Sequence, residues 1–299
     1  MSRSFLSIVV ALLALVPARR ARACASCSCG DETLTATGVE RPYRNRVRLV
    51  AEERYGSLGV GDAQTGQHTE FLRSTLAASW SPHARLTLAT QLPWITSFLR
   101  TPGRSLQQLN GLGDLELAAR VLVYKERGFL PHHLVFVSGG LKMPTGPRLT
   151  DDRGYLVPDD DQPGSGSWDP FTGLTYAWFS GKLVSLFGSA SYRYPTAGWH
   201  GYRRGMSLGV SAAVQVQPFR WGAIQLGADV LWQAADTLAN GNPMVNSGGT
   251  VGYLAPGLLF NPIADLLVRV VVDAPVVAAQ RGLQSVGPQV MLSISYDVR

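Results

Sequence analysis

The stretch that decides the fold is Leu109-Asn-Gly-Leu-Gly-Asp-Leu-Glu-Leu-Ala-Ala-Arg-Val-Leu-Val-Tyr124. A Gly-Leu-Gly turn leads into a strict alternation of two kinds of residue. Successive side chains of a strand point to opposite faces of the sheet, so we predict one face that is charged from end to end, with Asp114, Glu116, Ala118 and Arg120 on it. The other face is apolar. This pattern suits a soluble sandwich with its charges in water, or a membrane barrel with its charges in the lumen.

The N-terminus has the pattern of an export signal. Residues 1–23 hold a basic start, an apolar run from Phe5 to Val16 and an Ala21-Arg-Ala23 cleavage site. The apolar run is too short to cross a bilayer as a helix. We therefore predict a secretory signal peptide over 1–23, a Cys-rich periplasmic segment over 24–45 and a β-domain over 46–299.

Composition narrows the class of the exported chain. The formal charge of +6 includes four arginines of the leader, so the remainder carries only +2. No Lys/Arg block with interleaved aromatic residues is present, which argues against nucleic-acid binding. Glycine is abundant at 32 residues and charged residues make up only 16%. The composition fits a secreted β-protein or an outer-membrane barrel.

Alternation predicts about twelve strands. They are the opening stretch and residues 46–55, 70–80, 85–96, 133–142, 168–179, 183–194, 205–217, 222–233, 250–260, 266–274 and 289–298. Gaps after even-numbered strands are short, whereas most gaps after odd-numbered strands are long: 56–69, 97–110, 143–167, 195–204, 234–249 and 275–288. Short turns on one rim and long loops on the other are typical of a membrane barrel. The sequence thus favours an all-β, transmembrane, antiparallel up-and-down barrel in the outer membrane of a Gram-negative cell.

The alternation places charges of both signs inside this barrel. The lumen or selectivity candidates are Arg46, Arg48, Glu52, Arg54, Arg73, Asp114, Glu116, Arg120, Lys142, Arg193, Asp229, Arg269 and Asp273. They could form an ion-pair network that stiffens the wall, or a charged constriction that selects solutes. Clustered carboxylates at 159–161 lie in the longest gap without EF-hand spacing, which favours a solvated outer loop over a calcium site.

Three cysteines form the sharpest chemical motif of the chain. Cys24, Cys27 and Cys29 could form one disulfide with a third thiol left over, bind one soft metal ion, or include a lipid anchor at Cys24. No histidine follows Cys27, so the haem-attachment motif is absent. Apart from a possible soft metal at these thiols, we predict no cofactor.

The motifs of common enzymes are missing. The chain has no P-loop, no G-x-S-x-G and no H-E-x-x-H. Its five histidines lie in loops, in turns or at a strand start, without an outward Ser-His pairing near the outer rim. We therefore predict that the protein is not an enzyme.

Three Gly-rich segments carry a family resemblance. Gly111-Leu-Gly-Asp-Leu-Glu-Leu-Ala-Ala119, Gly139-Gly-Leu-Lys-Met-Pro-Thr-Gly146 and Gly164-Ser-Gly-Ser-Trp-Asp-Pro170 occur in this order. Over roughly 45–299 the chain resembles outer-membrane barrel transporters of the meta-pathway phenol-degradation type. The resemblance implies a channel that passes small molecules, aromatic or hydrophobic ones among them, and it supplies no binding residues.

The expectation from sequence is a passive outer-membrane channel. Its partners would be outer-membrane lipid and a small-molecule solute, and the oligomeric state is left open. The alternative is a closed barrel that anchors the Cys-rich metal- or redox-binding segment, or that has a structural role.

Overall fold

The computed structural model describes residues 45–62, 66–103, 106–126, 132–150, 154–180, 183–219, 221–263 and 265–298. The leader 1–23 and the three cysteines of the 24–45 segment lie outside these ranges, so what the sequence predicts for them stays a prediction. The described chain is almost entirely β-structure, with one turn of 3-10 helix at Trp199–Gly201.

Fourteen strand segments follow one another in antiparallel order. They are β1 Arg46–Val60, β2 Gln67–His83, β3 Leu86–Arg100, β4 Gln107–Leu112, β5 Leu115–Lys125, β6 His133–Met143, β7 Asp169–Phe179, β8 Val184–Arg193, β9 Ser207–Phe219, β10 Gly222–Gln233, β11 Gly249–Ile263, β12 Leu266–Gln280, β13 Gln284–Val286 and β14 Gln289–Val298. Sequential strands pair side by side, and β1 pairs with both β2 and β14.

The sheet therefore closes into a barrel. Segments β4 and β5 both pair with β3, and segments β13 and β14 both pair with β1, so each pair forms one interrupted strand. The barrel has twelve strands in this sense, which confirms the predicted count and fold class. Because the first strand pairs with the last, the sheet has no open edge between β14 and β1, as a wall surrounded by lipid requires.

The opening stretch is interrupted, which corrects the prediction of one continuous strand. The ladder with β3 stops at Leu112 opposite Trp94 and resumes at Glu116 opposite Gln91. Between them the Gly113 N–H donates to the Pro93 carbonyl at 2.8 Å. A Cβ on Gly113 would lie 2.9 Å from the Pro93 ring, so this close approach requires glycine.

The two rims differ, although less than the sequence predicts. At the rim with the C-terminal end of β14, called the turn rim, connections are short: 84–85, 126–132, 180–183, 220–221 and 264–265. At the opposite rim, called the loop rim, they are 61–66, 101–106, 144–168, 194–206, 234–248 and 281–283. The predicted gaps 56–69, 97–110 and 275–288 are thus mostly strand. Strand pairing continues beyond the apolar band, where the outer face no longer has to be apolar and the alternation fades.

The outer surface is a belt of exposed apolar side chains. Leu76 is 69% exposed, Leu258 60% and Ile224 56%. At the turn rim Trp221 stacks on Phe219 and meets Phe260 edge to face, an arrangement suited to the membrane–water interface. Lipid is the solvent that such an exterior fits.

In the part of the chain that the structure describes, no helix has both the length and the apolar character needed to cross a membrane.

Candidate functional site in the barrel lumen

One set of bonds links β5 to β8 along the inner face of the wall through Glu116. The Arg193 guanidinium of β8 donates to both carboxylate oxygens of Glu116 of β5, at 2.7 and 3.0 Å. Gln91 Nε2 of β3 adds a third bond at 2.8 Å. Bidentate Arg–carboxylate pairs are strong and fix geometry. The Glu116 carboxylate is thereby held in place, and β6 and β7 lie between the two strands that it connects.

A second set of charges lies around Arg54 of β1. Its Nη1 lies 3.3 Å from Asp273 Oδ2 of β12, and its Nη2 lies 3.5 Å from Glu52 Oε1. Nη2 also approaches the Met291 sulfur at 3.2 Å. These contacts are longer than those of Arg193, and one guanidinium divides them among three partners. Asp229 and Arg269 line the same part of the lumen.

A third set closes the barrel at the turn rim. Asp297 of β14 accepts from Arg48 Nε at 2.7 Å, from Arg48 Nη2 at 2.8 Å and from Arg46 Nε at 2.8 Å. Arg48 is only 2% exposed and lies directly opposite Asp297 in the ladder between β1 and β14. These three residues, here called the seam, join the first strand to the last.

Lys142 of β6 is the centre of a fourth, buried network. Its Nζ lies 2.7 Å from Asp114 Oδ2 and 2.8 Å from Asp169 Oδ2, and it also bonds to Ser165 Oγ. Asp114 accepts further bonds from the backbone N–H groups of Ser165 at 2.8 Å and Gly146 at 3.0 Å. The network fills the break in the wall between β4 and β5.

The three Gly-rich segments of the sequence meet at this network. Asp114 comes from the first segment, Lys142 and Gly146 from the second, and Ser165 and Asp169 from the third. A Cβ on Gly164 would lie 2.8 Å from an Asp114 oxygen, so the loop backbone can approach only because this residue is glycine. The motifs therefore encode a loop attachment, not a binding residue for a particular solute.

The described residues of the attached loop, 144–150 and 154–168, fold against the inside of the wall. Leu149 and Val157 pack on the inward-facing Leu99 and Leu109, and Gln67 Nε2 of β2 donates to Asp161 at 3.2 Å. Burial of Asp161, with the neighbouring charge of Asp160, raises the pKa of the Asp161 carboxyl to about 6. The expected solvated outer loop at 159–161 is only partly correct: Asp160 is exposed, whereas Asp161 is partly buried because apolar residues of this loop pack against inward-facing residues of β3 and β4.

A second contact holds the same loop to the loop 194–206. His200 Nδ1 lies 3.1 Å from Asp159 Oδ2, and Arg148 Nη2 lies 3.1 Å from the His200 ring. Behind them Tyr202 donates to the Asp236 carboxylate, and burial together with Asp236 raises the pKa of the tyrosine hydroxyl. These contacts connect three of the loops at the loop rim.

The turn-side half of the lumen has an apolar wall on β5–β9. It consists of inward-facing residues that are all less than 7% exposed: Leu122, Leu134, Phe136, Ala177, Phe179, Phe187 and Ala213. The Arg120 guanidinium lies 5.0 Å from the centroid of the Phe136 ring and covers the end of this wall that is nearer the loop rim. The inner face of the opening stretch is thus charged only as far as Arg120.

The described residues outline two adjoining cavities within the lumen. The loop-side cavity has a volume of 480 Å³ and contains Pro163 of the inward-folded loop on its wall. The inner cavity has a volume of 270 Å³ and extends toward β8–β12. Arg54 and Gln289 line both cavities, so the two adjoin at these side chains.

The predicted lumen residues divide among these regions. The loop-side cavity is lined by Glu52, Arg54, Arg73, Asp114, Glu116, Lys142 and Arg193. The inner cavity is lined by Arg54, Asp229, Arg269 and Asp273. Arg46 and Arg48 lie in the seam, and Arg120 lies over the apolar wall. Whether any of them selects solutes stays a prediction.

Sequence reasoning missed several members of these networks. Gln91 and Asp297 lie on the inner faces of strands whose alternation is regular, so the pattern could have found them. Asp169 precedes the regular part of β7, and Tyr253 is an aromatic residue on an inner face. Asp169 lies in the third Gly-rich segment, which could have marked it, whereas Tyr253 carries no signal in the sequence that separates it from its neighbours.

Comparison with known proteins bears on the fold. No protein-family model matches the chain, and no curated protein is similar to it. An outer membrane channel from Pseudomonas putida F1 has a similar structure, with a TM-score of 0.67 and 13% sequence identity over 90% of this chain and 99% of that one. The NanC porin aligns over 82% of this chain and 98% of its own, with a TM-score of 0.47 and 9% identity.

The fold is therefore that of an outer-membrane β-barrel. At 13% identity the likeness to the Pseudomonas channel concerns the fold alone. The resemblance expected from the three Gly-rich segments is confirmed at this level, that of a barrel with an apolar exterior and a polar lumen.

Proposed function

We propose that the protein is a passive channel for small solutes in the outer membrane. The observation that carries this proposal is the pair of adjoining cavities inside the lumen, which share Arg54 and Gln289. A barrel whose lumen were fully packed would leave no room for a solute. Here the space continues from the inward-folded loop past Arg54 to the level of Asp229.

The wall supports passage by replacing part of a solute's hydration. Both charge signs and several hydroxyl and amide groups face the cavities, so polar groups of a solute find donors and acceptors there. The mixed signs favour solutes of low net charge, because an ion of either sign meets some like charges. The apolar wall on β5–β9 adds a surface for apolar groups near the turn rim.

The solute class and the absence of catalysis both belong to this proposal. Passage of aromatic or hydrophobic molecules stays a prediction from the family resemblance, and the apolar wall supports it. A role without catalysis is supported by the similar fold of the Pseudomonas channel. The alternative, an anchor for a metal-binding Cys segment, concerns residues outside the described chain and has no observation here in its favour.

Planar-bilayer recording of the purified full chain tests the proposal. We expect stable ionic conductance, together with swelling of proteoliposomes in small uncharged solutes. Glu116→Gln should change the conductance because it removes a negative charge from the lumen and weakens the bidentate bond from Arg193. Glu53→Gln is the matched control, since Glu53 lies on the outer face, where Ser74 Oγ donates to it at 2.8 Å. A barrel that inserts but passes neither ions nor solutes would overturn the channel.

A further inference from the structure

The inner cavity differs from the loop-side cavity in how closely its charged groups approach one another. Two arginines, Arg54 and Arg269, and two aspartates, Asp229 and Asp273, line it together. Their formal charges cancel. The loop-side cavity holds its charges in short bonds, such as the 2.7 Å contacts of Arg193 and Lys142. In the inner cavity the contact between Arg54 and Asp273 is 3.3 Å.

The cavity also has an uncharged polar side. Ser189 and Ser211 of β8 and β9 lie 2.6 Å apart at their hydroxyl oxygens, and Ser211 is the ladder partner of Asp229. Opposite them, Gln289 Nε2 donates to the Tyr253 hydroxyl at 3.3 Å. Hydroxyl groups both donate and accept hydrogen bonds, so this side can contact either end of a polar solute.

We propose that the inner cavity is a binding subsite for a small dipolar solute that carries one cationic and one anionic group. This inference rests on the proposed channel function, because a solute reaches the cavity through the lumen. The carboxylates of Asp229 and Asp273 face the cationic group, and the guanidinium groups of Arg54 and Arg269 face the anionic group. Binding displaces water from these charged groups. The two charged ends of the solute then replace the interactions that this water made with the carboxylates and the guanidinium groups.

Other classes of solute fit this cavity less well. An apolar solute removes water from four charged groups and replaces none of the hydrogen bonds. A singly charged ion is attracted by one pair and repelled by the other. A neutral polyol bonds to the serines but balances neither pair of charges. The volume of 270 Å³ lies just below the roughly 300–1,000 Å³ of typical ligand sites, so the solute is small.

The test uses the full chain in detergent micelles and glycine betaine as the dipolar probe. Saturation-transfer NMR titrations compare betaine with erythritol, acetate and tetramethylammonium. We expect betaine to bind best. Arg54→Gln removes a charge-assisted hydrogen bond to the betaine carboxylate, and Asp273→Asn removes the attraction between a carboxylate and the trimethylammonium group, which has no N–H to donate. Each variant should weaken betaine binding by about tenfold. Glu53→Gln removes the charge of the residue next to Arg54 on the outer face and should leave betaine binding unchanged.

The outcomes separate this inference from the channel itself. Equal binding of erythritol or of either singly charged probe would overturn the dipolar subsite, as would betaine binding that neither variant weakens. The comparison of probes needs only the unaltered chain, so it decides the matter even where a variant fails to fold. Ionic conductance without betaine is recorded separately: a conducting barrel that ignores betaine refutes the subsite alone, and a barrel that binds betaine without conducting refutes the channel alone.

Discussion

The seam and the apolar wall lie in the same turn-side half of the lumen but are held together by different interactions: ion pairs in the seam and apolar burial in the wall. In the seam, Arg46 and Arg48 of β1 both bind Asp297 of β14. The apolar wall on β5–β9 buries Phe136, Phe187 and their neighbours. Apolar burial is not directional and tolerates a shift of two residues along a strand. A bidentate ion pair does not tolerate it, so the seam specifies the register in which the barrel closes.

The position of each region in the chain accounts for this division. Strands β5–β9 follow one another directly along the chain, and the short turn-rim connections 126–132 and 180–183 restrict the register of two of their pairs locally. The pairing of β1 with β14 has no such turn, because these strands are the first and last of the barrel. A register signal carried by side chains is needed there.

The largest effect is expected from Asp297→Asn. This change takes the anionic partner from two guanidinium groups, one of them in Arg48, which is only 2% exposed. Breaking a buried ion pair costs about 3–5 kcal/mol, so the free energy of unfolding should fall by about that amount. Urea titration of the reconstituted barrel, followed by tryptophan fluorescence, measures it.

The exposed turn-rim variant Glu126→Gln is the control for Asp297→Asn and should leave stability nearly unchanged. If the two variants were equally stable, closure would not depend on the seam.

Phe187→Ala should destabilise the apolar wall on β5–β9. Phe187 is 4% exposed and meets the Phe179 ring edge to face at 6.0 Å. Truncation of a buried phenylalanine costs about 3 kcal/mol or more, and the same urea titration measures the loss. Leu186→Ala, one residue away on the outer face, should cost less because lipid fills the space.

The double variant Asp297→Asn with Phe187→Ala sharpens the comparison. The two sites share no contact, so their effects should add within about 0.5 kcal/mol. A large coupling energy would mean that the seam and the apolar wall act as one unit.

Glu116→Gln should have a smaller effect on stability and a visible effect on selectivity. It weakens the bidentate bond from Arg193, at a cost of about 2 kcal/mol, and leaves an extra positive charge in the lumen. The reversal potential in a KCl gradient should shift toward anion preference. Arg193→Gln should shift it toward cations, and a shift of the same sign for both would contradict electrostatic control by this pair.

Much of the barrel could be predicted because its strands lie between lipid outside and a polar lumen inside. This arrangement makes apolar and polar residues alternate along each strand. Lipid requires an apolar outer face and the lumen accepts polar groups, so alternation gives strand positions, facing and number. Strand ends at the loop rim were not predictable in this way. There the outer face meets water, and residues such as Gln67 and His68 continue the ladder without alternating.

The candidate site was predictable in its residues but not in its partners. Alternation identifies Glu116 and Arg193 as inward-facing, but their bond depends on barrel curvature across β6 and β7. The inward fold of 144–168 depends on contacts between Leu149, Val157 and a strand wall far away in sequence. A local pattern carries no information about such contacts.

The smallest expected effect concerns the pH dependence of this loop. The pKa of the Asp161 carboxyl is raised to about 6 by burial and by Asp160, so the docked loop favours the neutral acid. The stabilisation is fully present below the ordinary pKa of about 3.9 and is lost as the pH rises through about 6. Tyr155, 71% exposed, offers a chymotrypsin site in the same loop. Cleavage there should be slower at about pH 5 than at about pH 7.5, after correction for the enzyme's own pH profile with an unfolded substrate.

Asp161→Asn, which stays neutral at both pH values, should remove the difference in cleavage rate. Faster cleavage at the lower pH would contradict docking of the loop through the neutral acid.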